Sequence, residues 1–577
     1  MPRRSGPVHV VTTTRRYKGR TYHTHLLRRS YREDGKVKNE TLGNLSHLPD
    51  PVIGLIRQAL SGQTFVTAED RFEIVASRAH GHVEAVLTAM RRLRIDKLLH
   101  SRPSRERELC LAMIAARVLQ PQSKLATTRW WSTTTLPDVL SGNHASEDEL
   151  YRAMDWLLNR QDAIEKKLAK RHLTEGGTAL FDLSSSYFEG SQCPLAALGH
   201  NRDGKKGKLQ VNYGLMTDGQ GCPVSVSVVS GNTSDPKTLL PQVKRVRERF
   251  GIRNLVLVGD RGMISKKQID SLREQEGIEW ITALRSGSIR KLLGAGAIQM
   301  ELFDERNLFE LEHADFPGER LVACRNPALA ERRRAKRREL IEATEKELEK
   351  VAGMVRRGRL RREREIGLRV GKVLNKYKVG KHFNLTIEEG RFEYEVDRIR
   401  VETEAALDGI YVIRTSLGQD QLSAEDAVRS YKSLSQVERA FRSFKTLDLH
   451  VRPIRHWAEG RVRSHIFLCM LAYYVQWHMQ EVWRPLLFFD EDLEAKQSRD
   501  PVAPAERSAG ARKKARRHVL EDGRPVHSFR TLLASLGTIV RNTCRVKDRS
   551  GQPSFELTTQ ASPEQRRALD LLKQIAV

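Results

Sequence analysis

The stretch from Gly177 to Gly190 reads GTALFDLSSSYFEG. Its apolar and β-branched lead-in predicts a buried strand that ends on Asp182 and is followed by a polar, serine-rich turn. A second run, NLVLVGDRG over 254–262, is a short apolar strand that ends on Asp260. Between them, VNYGLMTDGQGCPVSVSVVS over 211–230 reads as two antiparallel strands around a TDGQG turn. SGNTSDPKTLLPQVKRVRERFG and SKKQIDSLREQEG have helical spacing, and IEWITAL is a fifth strand. The predicted order is three strands, helix, strand, helix, strand. That is an α/β layer opening with an antiparallel hairpin or meander. Neither GxGxxG nor a Walker loop occurs, so the layer is not read as a nucleotide-binding fold.

Two strand-end aspartates are the raw material of a metal site. Phosphoryl transfer needs charge neutralised on non-bridging oxygens, a nucleophile activated and a leaving oxygen stabilised. Two Mg²⁺ ions supply all three. Mg²⁺ takes oxygen ligands and keeps several waters, so two or three carboxylates suffice. Each aspartate alone reads equally as a turn or capping residue; the pair in a compatible strand order favours the metal reading. A third acid, Glu438, lies in YKSLSQVERAFRSFK over 431–445. Tyr431, Glu438 and Lys445 fall at seven-residue steps, which places them on one face of a continuous helix. The alternative is an amphipathic helix with an exposed Glu–Lys pair.

The 577 residues carry 100 Lys and Arg against 72 Asp and Glu, a formal charge of +28. That excess favours a polyanionic partner. Six scattered cysteines with no C-x-x-C pair predict neither a zinc ribbon nor a disulfide scaffold and fit a reducing cytoplasm. No apolar run is long enough to span a membrane, and the N-terminus lacks the apolar core of a secretory signal.

Residues 1–60 read as a small basic strand module, with REDGK as a turn between strands and Arg16, Lys18, Arg28, Arg29 and Arg32 as either phosphate contacts or a solvated face. Residues 61–172 read as mainly helical, a candidate for DNA-end binding. The core begins at 173–288, where GHNRDGKKGKLQ, with Lys205, Lys206 and Lys208, is a loose basic link. Residues 289–420 read as an insertion of strands and long basic helices. Within it Arg332, Arg333, Arg334, Lys336, Arg337 and Arg338 form a run that is either a solvated helix face or a non-specific DNA contact. Residues 421–480 carry Glu438 and a following apolar helix. Residues 481–577, rich in Pro, Ala and Arg at the start, read as a partly disordered linker with C-terminal helices.

DLSSSYFEG, GLMTDGQGCPVSVSVVSGNTSD, LVGDRGMIS and YKSLSQVERAFRSFKTLDLHVRPI together resemble the DDE transposases of bacterial insertion sequences. The resemblance is to the group whose helix motif is tyrosine, arginine, glutamate, lysine. It implies an RNase H-like core interrupted by an insertion, with Asp182, Asp260 and Glu438 as the catalytic, metal-holding triad. It implies two divalent ions, Mg²⁺ with Mn²⁺ as a substitute. Tyr431 and Lys445 match the flanking motif residues and would hold phosphate. The motif arginine falls at Leu434, so Arg439 or Arg442 would replace it, and Arg452 and Arg455 would flank the site. The implied activity is binding of terminal inverted repeats by a DNA-bound homodimer, hydrolysis of the 3′ strands and joining of the 3′-OH ends to target DNA. The implied setting is the bacterial cytoplasm, on the nucleoid when bound. The alternatives are a nuclease of the same fold that does not join, and a silent DNA-binding descendant of a transposase.

Overall fold

Alternating β-branched and basic residues fold Val8–Tyr17 (β1), Arg20–Glu33 (β2) and Lys36–Asn44 (β3) into an antiparallel meander. Its turns, Lys18-Gly19 and Asp34-Gly35, have positive φ at both residues. That geometry matches the twist of paired strands, and the second of these turns is the one predicted at REDGK. Helix α1, Asp50–Leu60, follows. The computed structural model describes residues 6–63, 72–139, 145–303, 306–492, 494, 499–547 and 554–577. Residues 1–77 with 541–558 form one unit, and residues 78–540 with 559–577 form another.

Phe72–Ala79, read from sequence as helical, is a strand, β4. It shares a small sheet with two strands from near the C-terminus, Val540–Val546 (β15) and Phe555–Thr558 (β16), in the order β16-β15-β4. Val540–Val546, in a segment whose sequence predicts C-terminal helices, is likewise a strand. A partner supplied from the far end of the chain leaves no local periodicity to read.

The second unit is built on an eight-stranded mixed sheet in the order β10-β11-β14-β9-β8-β5-β6-β7. Strands β5 (Thr178–Tyr187), β6 (Gln210–Asp218) and β7 (Pro223–Ser230) form an antiparallel meander. Strands β8 (Leu255–Gly259) and β9 (Ile278–Ala283) then continue parallel to β5. Helices Pro236–Arg245 and Lys266–Arg273 lie in the links before β8 and β9, so the predicted element order holds. The remaining strands, β10 (Leu308–Leu311), β11 (Arg320–Arg325) and β14 (Ile410–Thr415), come from the segment read as an insertion, yet they extend the main sheet.

What stands apart is narrower. Helices α2 (Pro327–Arg356) and α3 (Glu363–Tyr377) and the hairpin β12 (Phe383–Glu388)–β13 (Arg391–Val396) enclose a separate core of Leu348, Val351, Ile366, Val370, Phe383 and Phe392. Pro327 at the first turn and the Asn326 side chain, which accepts a hydrogen bond from the Leu329 N–H, start α2.

The apolar sequence HIFLCMLAYYV lies in α6, Glu459–Val482, where residues 464–476 are all buried. A helix apolar all round needs neighbours on every side. It has β7 and helices Arg105–Leu119 and Glu147–Leu158. Nor is the described part of the 481–577 segment a free linker. The Asn326 amide donates to the Val502 carbonyl at 2.7 Å, and Val502 is buried. Residues 493, 495–498 and 548–553 of that segment lie outside the described residues.

The basic run on α2 divides by partner. Arg337 pairs at 2.5 Å with Asp408, both nearly inaccessible. Lys336 and Arg338 make exposed pairs with Glu339 and Glu342. Arg332, Arg333 and Arg334 are exposed and make no ion pair among the described residues. Arg337→Ala is therefore expected to cost about 3–5 kcal/mol in denaturant unfolding, the usual penalty for stranding a buried charge. Replacing Arg332, Arg333 and Arg334 together with Ala should leave stability nearly unchanged and lower the slope of log affinity for DNA against log salt by about 2–3. An unchanged slope would make these three a solvated helix face.

Candidate active site

The parallel ladder of β5 and β8 pairs Phe181 with Gly259. The next residue along each chain segment is an acid: Asp260 directly follows the end of β8, as expected, whereas Asp182 stands within β5 and not at its end, because pairing with β6 carries that strand on to Tyr187. Asp182 Oδ1 accepts the N–H of Leu183 at 2.8 Å. Asp260 Oδ2 accepts the N–H of Gly262 at 3.2 Å, and the Tyr431 hydroxyl reaches Asp260 Oδ1 at 3.5 Å. Burial pushes the Asp182 carboxyl up to about 7; the Leu183 N–H and the Arg202 charge oppose that shift, while Asp260 and Asp235 add to it. Burial, with the Asp260 charge next, also pushes the Tyr431 phenol well up.

Tyr431, Glu438 and Lys445 do not lie on one continuous helix. Ala424–Lys432 (α4) ends at Ser433, Leu434–Arg442 (α5) starts from the same residue, and Ser443–Leu447 is a π-helical turn. A π turn closes one residue later than an α turn, so the seven-residue step does not carry one face through to Lys445. Helix α5 packs Val437, Ala440 and Phe441 against β5 and β6, with the Phe441 ring edge-on to Tyr213 at 5.8 Å. Glu438 projects from the exposed side of this helix and makes no hydrogen bond or ion pair among the described residues. Leu434, where the motif has arginine, packs partly buried against the core.

The expected phosphate-binding cations are placed unevenly. Lys445 and Arg452 both turn onto Asp203, at 3.0 and 2.5 Å, and that carboxylate is almost wholly buried. Arg455 pairs with Glu189 at 3.2 Å. Arg439 lies over the Phe489 ring at 5.9 Å. Arg442 is exposed and makes no ion pair among the described residues.

Sequence reading missed Asp203, Arg202 and Asp235. The link read as loosely basic is tied down by Asn201, whose side-chain oxygen accepts the N–H groups of Asp203 and Lys205 at 2.9 and 3.0 Å. Arg202 grips both oxygens of Asp235 at 2.7 and 2.6 Å. The NRDG sequence carries the signal of such an Asx turn; which cations would meet the aspartate it does not say.

The family model described as Transposase DDE domain matches residues 180–475, just over half of the chain. The model for the IS1634 family transposase N-terminal domain matches residues 10–70. No curated protein matches. Among solved structures, a similar chain is that of the cryo-EM structure of the piggyBac transposase synaptic complex with hairpin DNA. It is 8% identical over 79% of this chain and 77% of that one, with a TM-score of 0.33.

Asp203 is the counterion for two cations, so its loss should be felt in the fold before the chemistry. Asp203→Ala is expected to lower unfolding free energy by about 3–5 kcal/mol, because it leaves Lys445 and Arg452 without their partner. Chemical denaturation of the two proteins side by side checks this, and a change below about 1 kcal/mol would show that water replaces the pair at little cost.

Proposed function

The chain belongs to the transposase DDE-domain family, and on that premise we propose that Asp182, Asp260 and Glu438 are its catalytic, metal-holding acids. The observation that carries the proposal is electrostatic. In a chain of net charge +28, the neighbouring acids Asp203 and Asp235 are each gripped by a cation. None of the three proposed acids has an ion-pair partner among the described residues. A carboxyl pushed up to about 7 chiefly by burial, with no ion-pair partner among the described residues, is a site that a cation completes.

The sheet supports the finer reading of the core as RNase H-like. Three antiparallel strands continue into two parallel ones, and the acids stand on the adjacent strands β5 and β8. The donors are oxygens only, which fits two Mg²⁺ ions, with Mn²⁺ as a substitute. When bound, such ions neutralise charge on the scissile phosphate and acidify the attacking hydroxyl. Asp182 and Asp260 would hold them from the rigid sheet and Glu438 from its helix. Tyr431 would fix the orientation of Asp260 through its hydroxyl. Arg442, Arg439 and Arg455 would steady the DNA backbone. Lys445 and Arg452, committed to Asp203, would act by holding the 199–208 loop in place.

The reaction proposed is two displacements at phosphorus. Water attacks first, the P–O3′ bond breaks, and the element end leaves with a free 3′-OH. That hydroxyl then attacks a target phosphodiester and displaces a 3′-OH there. The DNA partners would be the terminal inverted repeats and the target, bound by a homodimer. The basic strand module and the helices before β5 are the proposed end-binding parts. Among the described residues no helix is long and apolar enough to cross a membrane; the bacterial cytoplasm, on the nucleoid, is the proposed setting.

The test is single substitution in the full chain with labelled element ends. Asp182→Ala, Asp260→Ala and Glu438→Ala should each reduce 3′ cleavage and strand transfer to background while end binding persists. Glu459→Ala, which removes only a helix-surface partner of Arg463, should remain active. Mg²⁺ or Mn²⁺ should support the reaction, Ca²⁺ should permit binding with little chemistry, and EDTA should stop it. Cut but unjoined ends in the parent protein would indicate the nuclease, and binding without cutting the silent descendant. Full activity in Glu438→Ala would overturn the assignment of the third acid.

A further inference from the structure

Away from the proposed acids, three residues distant in sequence bring soft donors together. His172 ends the helix Gln161–His172, Cys222 closes the turn between β6 and β7, and His478 lies on α6. Cys222 Sγ is 4.0 Å from His172 Nε2 and 3.8 Å from His478 Nε2. Single donor atoms of all three residues lie within 4.8 Å of one another. Cys222 is wholly inaccessible and His478 nearly so.

A tetrahedral zinc ion with one thiolate and two imidazoles would set sulfur and nitrogen about 3.5 Å apart. Each of the two sulfur–nitrogen distances needs only a few tenths of an ångström of contraction to meet that. The surroundings resemble a second coordination shell. Asp218 Oδ2 stands 3.9 Å from Nδ1 of His172, the ring nitrogen turned away from the thiol. Metal-bound histidines usually present that nitrogen to a carboxylate. Asp218 Oδ1 accepts the Cys222 N–H at 2.9 Å and so fixes the ligand turn as well. The Tyr474 hydroxyl lies 2.9 Å from His172 Nε2, a hydrogen bond that metal binding would replace, and a water would supply the fourth ligand. The competing reading is a metal-free buried cluster in which the thiol and the Tyr474 hydroxyl hydrogen-bond the imidazoles.

We propose that His172, Cys222 and His478 form a zinc site, distinct from the proposed catalytic acids, that pins the β6–β7 turn to two helices. Binding displaces the Cys222 thiol proton to solvent and leaves a thiolate on the metal. Thiolate with imidazole selects Zn²⁺ over the Mg²⁺ suited to carboxylates. The site has a mechanical consequence. A Cβ added at Gly221 would stand 2.7 Å from Gln436 Cβ, so the pinned turn is a seat for α5, two residues from Glu438. The link to activity rests on reading Glu438 as catalytic; metal binding does not.

Cobalt titration of the full-length protein, first stripped of metal, tests the site. Wild type should bind one Co²⁺ with a sulfur-to-cobalt charge-transfer band and the visible bands of a tetrahedral ion. Oxygen ligation by the catalytic acids gives no such sulfur band, so Asp182→Asn and Glu438→Gln should retain it. Failure of the active-site assignment would therefore leave this result untouched. Cys222→Ser should abolish the band, and Asp218→Asn should weaken binding by about 10–100-fold. Zinc should also raise the melting temperature of the stripped wild-type protein, a readout that needs no variant to fold. A folded wild type that shows no thiolate band, or a band that survives in Cys222→Ser, would overturn the site.

Discussion

The middle of this sheet holds a buried carboxyl, Asp182, with a second acid at the end of the neighbouring strand, and the surrounding charges are arranged about that pair. Parallel pairing of β5 with β8 fixes Asp182 and Asp260 in consecutive register, one residue beyond Phe181 and Gly259. Neither can retreat without slipping a strand, and a one-residue slip would turn every buried side chain of that strand outward. The charge is instead left to the environment. Burial and the second acid raise Asp182 far from its usual range. Among the described residues no arginine or lysine forms an ion pair with either carboxylate. In so basic a protein this is a constraint met by the neighbours. Asp203 absorbs Lys445 and Arg452, and Asp235 absorbs Arg202. The Arg202–Asp235 pairing holds its cation close enough to be felt by Asp182 without forming an ion pair with it.

What the sequence made legible follows from the same physics. GTALF and NLVLV are continuous apolar runs because β5 and β8 are central strands covered on both faces. An acid closing such a run stands out against it. Helix α5 was legible from Val437, Ala440 and Phe441, which space its buried face at helical intervals and leave Glu438 on the other side. The break at Ser433 was not, because that residue ends one helix and begins the next without interrupting the apolar spacing. Pairings made across the chain were silent too. Lys445 looked like a free phosphate ligand; its partner lies 242 residues away. β4 took the guise of a helix because β15, which completes its sheet, is encoded near the other end. His172, Cys222 and His478 carried no motif spacing, since each comes from a different element.

The excursion between β11 and β14 explains how a core can be interrupted without being distorted. Those strands are direct antiparallel neighbours, and Arg325 pairs with Ile410 across the neck of residues 326–409. The Asn326 N–H donates to the Gly409 carbonyl at 2.8 Å, so the ladder continues one step into the excursion. Gly409 has φ +77, and a Cβ there would stand 2.3 Å from the Asn326 carbonyl oxygen. Only glycine allows the two chains to approach so closely. Closing a loop costs entropy that grows with the logarithm of its length. A neck fixed in this way therefore makes the size of the inserted piece nearly irrelevant to the sheet.

The neck also separates two demands on the same stretch of chain. The inserted helices and hairpin bury their own core and expose basic side chains. Immediately beyond them β14 returns to register against both β11 and β9. From there α4 crosses β14, β9 and β8, which brings the Tyr431 hydroxyl to Asp260. Helix α5 then settles on β5 and β6. The position of Glu438 is thus set by β14 and by the packing of two short helices on the sheet, and not by the residues intervening since Asp260. An acid 178 positions beyond its partner can be held by the same sheet because the chain between them leaves and re-enters through adjacent rungs of one ladder.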